Sequence, residues 1–76
     1  MSRPVKRSFN IGGHPTSISL EQSFWDALKE VAASEQQPVS RLISQIDAGR
    51  GACGLSSAVR VWLLAHYRAR ARRPGT

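Results

Sequence analysis

Ser17 and Ser19 stand two residues apart in the stretch Thr16-Ser17-Ile18-Ser19-Leu20. On an extended chain that spacing projects both hydroxyls from one side, as hydrogen-bond donors and acceptors. Cations flank them at a distance. Arg3, Lys6 and Arg7 lie at the start, and Arg68, Arg70, Arg72 and Arg73 at the end. Such a set recognises a polyanionic, hydrogen-bonding surface and does not make or break bonds. His14, His66 and the single Cys53 are too few and too scattered for a metal ligand set. No nucleophile–base pair or acid–base pair can be named, Cys53 included. An enzyme, a metal and a cofactor are therefore not expected.

The charge distribution sharpens this. The chain carries 11 Lys and Arg against 5 Asp and Glu, a net charge of +6. Between Ser8 and Tyr67, Lys29, Arg41, Arg50 and Arg60 face Glu21, Asp26, Glu30, Glu35 and Asp47, so the middle is near neutral. Basic ends on a neutral body suit nucleic acid first and an anionic membrane second; the plain alternative is a pair of solubilising tails. The longest strongly apolar run, Val61 to Ala65, is far short of a membrane span. No apolar segment follows the basic start, so no secretory signal is expected, and a lone cysteine suits a reducing cytoplasm.

These groups need elements to hold them. A chain of 76 residues makes one small domain. Without a disulfide or metal, a chain this short gains most from a partner subunit. Met1 to Ser8 reads as a flexible basic arm. Residues 15–20 read as a strand, with Thr16, Ile18 and Leu20 on one face and Pro15, Ser17 and Ser19 on the other. A lone strand leaves its backbone groups unpaired. Its partner is either Phe9-Asn10-Ile11, across Gly12-Gly13, or the same strand of a second copy; the second solution also answers the size problem.

Three helices follow, at about 21–34, 39–48 and 56–70. The first has an apolar stripe of Phe24, Ala27, Leu28, Val31 and Ala32, with Trp25 beside it and a Ser19/Gln22 capping box. The second carries Leu42, Ile43 and Ile46, with Ser40 as its N-cap; Gly49, Gly51 and Gly54 follow. The third, capped by Ser56 or Ser57, is apolar nearly all round from Ala58 to Ala65, which predicts burial on more than one side. Residues 9–68 thus form the domain and 69–76 a basic tail.

The order strand, amphipathic helix, Ser-capped buried helix resembles the ribbon-helix-helix (Arc/MetJ-like) superfamily of bacterial DNA-binding regulators. The match rests on Thr16-Ser17-Ile18-Ser19-Leu20-Glu21, on Phe24-Trp25-Asp26-Ala27-Leu28 and on Leu55-Ser56-Ser57-Ala58-Val59-Arg60-Val61. The resemblance implies a mainly α fold with one short N-terminal strand and an extra helix. It implies an intertwined homodimer in which two strands pair antiparallel and enter the DNA major groove. Pro15, Ser17 and Ser19 would then face the bases, and Ile18, Leu20, Phe24, Leu28, Val59, Trp62 and Leu63 the dimer core. Phosphates would meet Arg3, Lys6, Arg7, His14 and the helix N-terminus at Ser56 and Ser57, with Arg60 nearby.

Two departures stand out. The outer strand face lacks the long side chains that read bases with two hydrogen bonds. A third helix is also present. Either the helix at 39–48 is the family's second, which moves the phosphate clamp to Val39, Ser40 and Arg41, or it is an insertion; the Leu-Ser-Ser segment favours the insertion. Plain readings accompany each residue. His14 is first a loop residue, Ser17 and Ser19 are first solvated strand positions, Ser40 and Ser56 are first caps, Arg60 is first a surface ion pair, and both tryptophans are first core or interface. The expected function is a dimeric regulator on double-stranded DNA. The rival is an antitoxin or adaptor whose dimer body binds a protein, and a membrane partner is not expected.

Overall fold

The computed structural model describes residues 3–51 and 54–71. Two strands, β1 (Val5–Ile11) and β2 (His14–Leu20), form an antiparallel hairpin. Three helices follow: α1 (Gln22–Ser34), α2 (Val39–Ala48) and α3 (Leu55–Ala71). The connector residue Cys53 and the tail arginines Arg72 and Arg73 lie outside the described residues.

The hairpin corrects one expectation and decides between two alternatives. Val5 to Ser8, read as a flexible arm, belong to a strand, and β2 finds its partner within its own chain. Gly12 and Gly13 make the turn, with φ of +59° and +84°. Two consecutive positive φ values are what a two-residue I′ turn demands, and glycine supplies them without strain. The reason β1 escaped a period-two reading is Arg7. It pairs with Ile18, so it sits on the core-facing side among Val5, Phe9 and Ile11 and interrupts their alternation. Its guanidinium lies over the Trp25 ring, 5.4 Å from the centroid, which lets a cation occupy an apolar position.

The core is built inside one chain. Ile11, Ile18 and Leu20 from the hairpin meet Trp25, Leu28 and Val31 of α1, Leu42, Ile43 and Ile46 of α2, and Val59 and Leu63 of α3. Ile18, Leu20, Leu28, Val59 and Leu63, expected in a dimer core, are thus buried without a second copy. On α1 the buried stripe keeps Leu28, Val31 and Ala32 but begins at Trp25 instead of Phe24. Trp25 is buried and Phe24 only half-buried. The cause is a specific polar contact: Trp25 Nε1–H donates to the Val5 carbonyl at 2.9 Å, so the indole can enter the core with its N–H satisfied.

None of the expected serine caps forms. Glu21 caps α1 and Pro38 caps α2, each without a side-chain hydrogen bond. Ser40 lies inside α2, and Ser56 and Ser57 lie inside α3, whose first intrahelical bond runs from Ala58 N–H to the Gly54 carbonyl at 2.9 Å. α1 ends with Gln36 at φ 55°, where Gln37 N–H bonds the Ala32 carbonyl and Gln36 N–H the Ala33 carbonyl. That is a Schellman closure, and Pro38 two residues on prevents the helix from resuming.

Candidate nucleic-acid interface

The register of the hairpin decides which side chains share its outward face. Lys6 pairs with Ser19, Ser8 with Ser17 and Asn10 with Pro15. Cross-strand partners point the same way, so these six residues line the side away from Ile18 and Leu20. Five are exposed and Ser19 is half-buried. Ser8 and Ser17 bring their hydroxyl oxygens to 3.5 Å of each other. The expected base-facing set Pro15, Ser17 and Ser19 therefore lies together, as the alternation required. What sequence reasoning did not place is the second rank beside it: Ser8, Asn10 and Lys6, the last expected only at phosphates. The Gly12-Gly13 turn was the available signal, because it forces residues before it to run back along β2.

The face carries no carboxylate. Residues 3–20 hold Arg3, Lys6 and Arg7 and no Asp or Glu, so every acidic side chain of the chain lies beyond the hairpin. Arg3, Lys6 and Arg7 are all exposed. His14 is exposed beside the turn, and its carbonyl accepts from Thr16 Oγ1 at 3.4 Å.

α3 covers the outer edge of β2 at Ser19. In a two-residue hairpin the pair flanking the turn is hydrogen-bonded, so alternate residues, Ser17 and Ser19 among them, turn their backbone groups outward. Ser19 N–H donates to Ser56 Oγ at 3.1 Å. The Ser19 carbonyl accepts from Arg60 Nη2 at 3.2 Å. Arg60 Nε also donates to Glu21 Oε1 at 3.1 Å, and its guanidinium lies 5.8 Å from the Phe24 ring centroid. Glu21 is held below the usual carboxylate range, first by a backbone hydrogen bond at Glu21 itself and then by the Arg60 side chain. Ser56 and Arg60, expected at phosphates, thus already have partners in this chain. Ser57 beside them is exposed.

A second surface is apolar. On α3, Ala58, Val59 and Leu63 are buried, but Val61 and Leu64 remain 65% and 56% exposed. With Phe24, Ala27 and Tyr67 they line a groove of about 370 Å³ between α1 and α3. Trp62 is half-buried and stacks on His66 at 5.1 Å. So the apolar circuit of α3 has one side in the core and another open.

Among the described residues, no group of three His, Cys, Asp or Glu side chains gathers to hold a metal ion. Among them, too, no helix is long and apolar enough to cross a membrane.

Comparison with known proteins places this geometry. No curated protein matches the chain. A solved structure, that of an uncharacterized protein from Bordetella pertussis Tohama I, is similar at 33% identity with a TM-score of 0.74. The similarity covers 95% of this chain and 63% of that one, so this chain spans less than two thirds of its relative. The family described as the ribbon-helix-helix domain matches residues 4–67, a span that takes in the hairpin, α1, α2 and most of α3. Both helices that competed for the place of the family's second helix therefore fall within one match. On this match the chain belongs to the ribbon-helix-helix domain family.

Proposed function

We propose that the protein is a regulator that binds double-stranded DNA as a homodimer, placing the outward face of the β1–β2 hairpin in the major groove. The observation that carries this reading is the acid-free, basic hairpin whose outward face is polar but for Pro15. Membership of a family that generally binds DNA and dimerises supports it, and the fold is a regulatory one that typically carries no enzymatic activity.

The inserted ribbon is the hairpin of one chain. Two strands lie about 4.8 Å apart and fit a groove about 12 Å wide. A second β2 added to β2 would make a four-stranded sheet with outer backbones about 14 Å apart, wider than the groove. The edge of β2 also offers little to a second strand. Pro15 has no N–H, and both backbone groups of Ser19 are taken by Ser56 and Arg60. Dimerisation instead uses the open groove between α1 and α3, where Phe24, Val61 and Leu64 are available. Contiguous exposed apolar surface of this kind marks an interaction site.

Phosphate contacts then come from Arg3 and Lys6 and from the N-terminus of α3 at Ser57, whereas Arg7 and His14 stand on the opposite side of the hairpin, Arg7 over the Trp25 ring. The test is the salt dependence of duplex binding. About 4–8 phosphates per dimer give a log–log slope of about −4 to −7. A slope near zero, or no duplex binding at physiological salt, refutes the proposal. The same groove fits a protein partner in the antitoxin or adaptor reading. A stoichiometric protein partner together with absent DNA binding would favour that reading.

A further inference from the structure

The far end of α3 borders a polar hollow that the hairpin site does not use. His66 and Arg70 stand about one helical turn apart on one side of α3. With Ala69, and with Ser34 at the end of α1, they line a hollow of about 460 Å³. The His66 ring is half-buried and held from two sides. It stacks on Trp62 at 5.1 Å and meets the Tyr67 ring edge-on at 5.5 Å. Among the described residues neither ring nitrogen of His66 has a hydrogen-bond partner. The exposed Arg70 guanidinium has neither a hydrogen bond nor an ion pair among them. Glu35, next to Ser34, accepts from Gln37 Nε2 at 2.7 Å and pairs with neither group. A positioned imidazole and a guanidinium thus share one hollow with their donors unspent.

We infer that this hollow holds a backbone phosphate of a second DNA segment, so that protein bound to one duplex bridges it to another. The inference rests on the DNA-binding reading for the first duplex and goes beyond it for the second. Imidazole and guanidinium N–H groups are donors to phosphate oxygens, and arginine can offer two at once. No carboxylate lines the hollow to compete. Its lining has no aliphatic side chain larger than Ala69. A protein partner anchors on large apolar or aromatic side chains, and a membrane surface on an apolar face. A sugar–phosphate backbone needs only charge and donors. Arg68 adds charge on the opposite side of the helix, and the sequence continues with Arg72 and Arg73.

The placement of the hollow calls for a second segment. Val59 and Leu63 pack α3 into the core with Ile18 and Leu20, so α3 lies behind the hairpin, away from Ser8 and Ser17. Ser56 touches β2, and Arg70 stands about 21 Å farther along the helix at about 1.5 Å per residue. Tyr67 Oη donates to the Ala27 carbonyl at 3.5 Å, so this part of α3 runs along α1 toward Ser34. A two-fold axis that sets two hairpins on one duplex keeps corresponding residues of both copies at equal heights above it. Both hollows of a dimer therefore stay on the side away from the duplex that the hairpins hold.

Bridging is measured with the full chain. A short biotinylated duplex on beads is loaded with protein, and capture of a second, fluorescent duplex is read. The wild type should capture it. Arg70→Ser should lower capture about 10-fold, the loss expected for one charged hydrogen-bonding contact. Its affinity for a single duplex and its circular dichroism should stay as in the wild type, because Arg70 is exposed and has no partner among the described residues. His66→Phe keeps a ring on Trp62, removes both nitrogens and should lower capture as well. Arg68→Ser removes the same charge outside the hollow and should lower capture less. Equal losses in the two arginine variants overturn the site in favour of bulk charge. A wild type that holds the first duplex and captures no second one, or captures labelled polyglutamate instead, overturns bridging and leaves the hairpin reading standing. No binding to the bead-bound duplex overturns both.

Discussion

The contact between Ser56 and Ser19 gives a prediction with an internal control. Ser56→Ala removes the oxygen that accepts Ser19 N–H at 3.1 Å. The amide is partly buried at a strand edge, so losing its partner costs about 1 kcal/mol, toward the low end of what an unsatisfied buried donor costs. The same substitution also raises helix propensity, because Ser56 lies in the first turn of α3, and that gain of up to about 0.5 kcal/mol masks part of the loss. Ser57→Ala isolates the masking effect. Ser57 is the next residue of the same helix, is exposed, and makes no side-chain hydrogen bond among the described residues. The difference between the two variants is then the hydrogen bond itself. For a domain of this size about 1 kcal/mol moves the melting temperature by about 4–8 °C. Thermal unfolding followed by circular dichroism at one fixed protomer concentration measures it, since a dimer's melting temperature depends on concentration. Ser56→Ala should melt about 4–8 °C below Ser57→Ala. Equal melting temperatures would refute the claim that Ser56 holds the edge of β2 at Ser19, one of the grounds against an interchain ribbon.

Two further outcomes follow from the same surfaces. Glu21 has its folded pKa depressed below the ordinary value of 4.5, so its bonds with Arg60 and the backbone stabilise the fold above that pH. That contribution fades as the pH falls from 4.5 through the lower folded value. Thermal melts across pH should show the wild type and Glu21→Gln converging in acid; a gap that stays constant from neutral to acid pH contradicts this. Leu64→Lys puts a charge into the open groove between α1 and α3. If a second copy covers the groove, dimer affinity falls about 10-fold or more, while the fold of each chain is kept because Leu64 is already 56% exposed. Solution mass at micromolar concentration reads the change, and an unaltered mass in the variant would remove that face from the interface.

Much of the fold was legible because it obeyed simple periods. The alternation from Thr16 to Leu20 gave the inward and outward sides of β2, and both Ile18 and Leu20 are buried as that alternation required. Leu28, Val31 and Ala32 on α1, and Leu42, Ile43 and Ile46 on α2, face the core as a 3.6-residue repeat dictates. Of β1 only the end at Phe9–Ile11 was legible, because Arg7 occupies a core-facing position and a one-dimensional pattern has no way to show the Trp25 ring beneath it. Ser56 read as a cap for a related reason. A serine before an apolar run is locally a capping signal, and only the approach of β2 offers its oxygen a different donor.

Residue types alone set the chemistry available to the protein. The chain holds basic residues and hydroxyls without carboxylates at one end and enough apolar residues for one small core. The tertiary structure decided where that chemistry is displayed. Closing the Gly12-Gly13 turn laid β1 beside β2, and that placed Lys6, Ser8 and Asn10 next to Pro15, Ser17 and Ser19. It also gave Arg60 to Glu21 and Ser19 instead of leaving it free, and left Val61 and Leu64 open on α3. The physical reason is that a side chain's type is fixed by the chain, but its neighbours across a turn or between helices depend on pairings far apart in sequence. Local periodicity carries no record of those pairings.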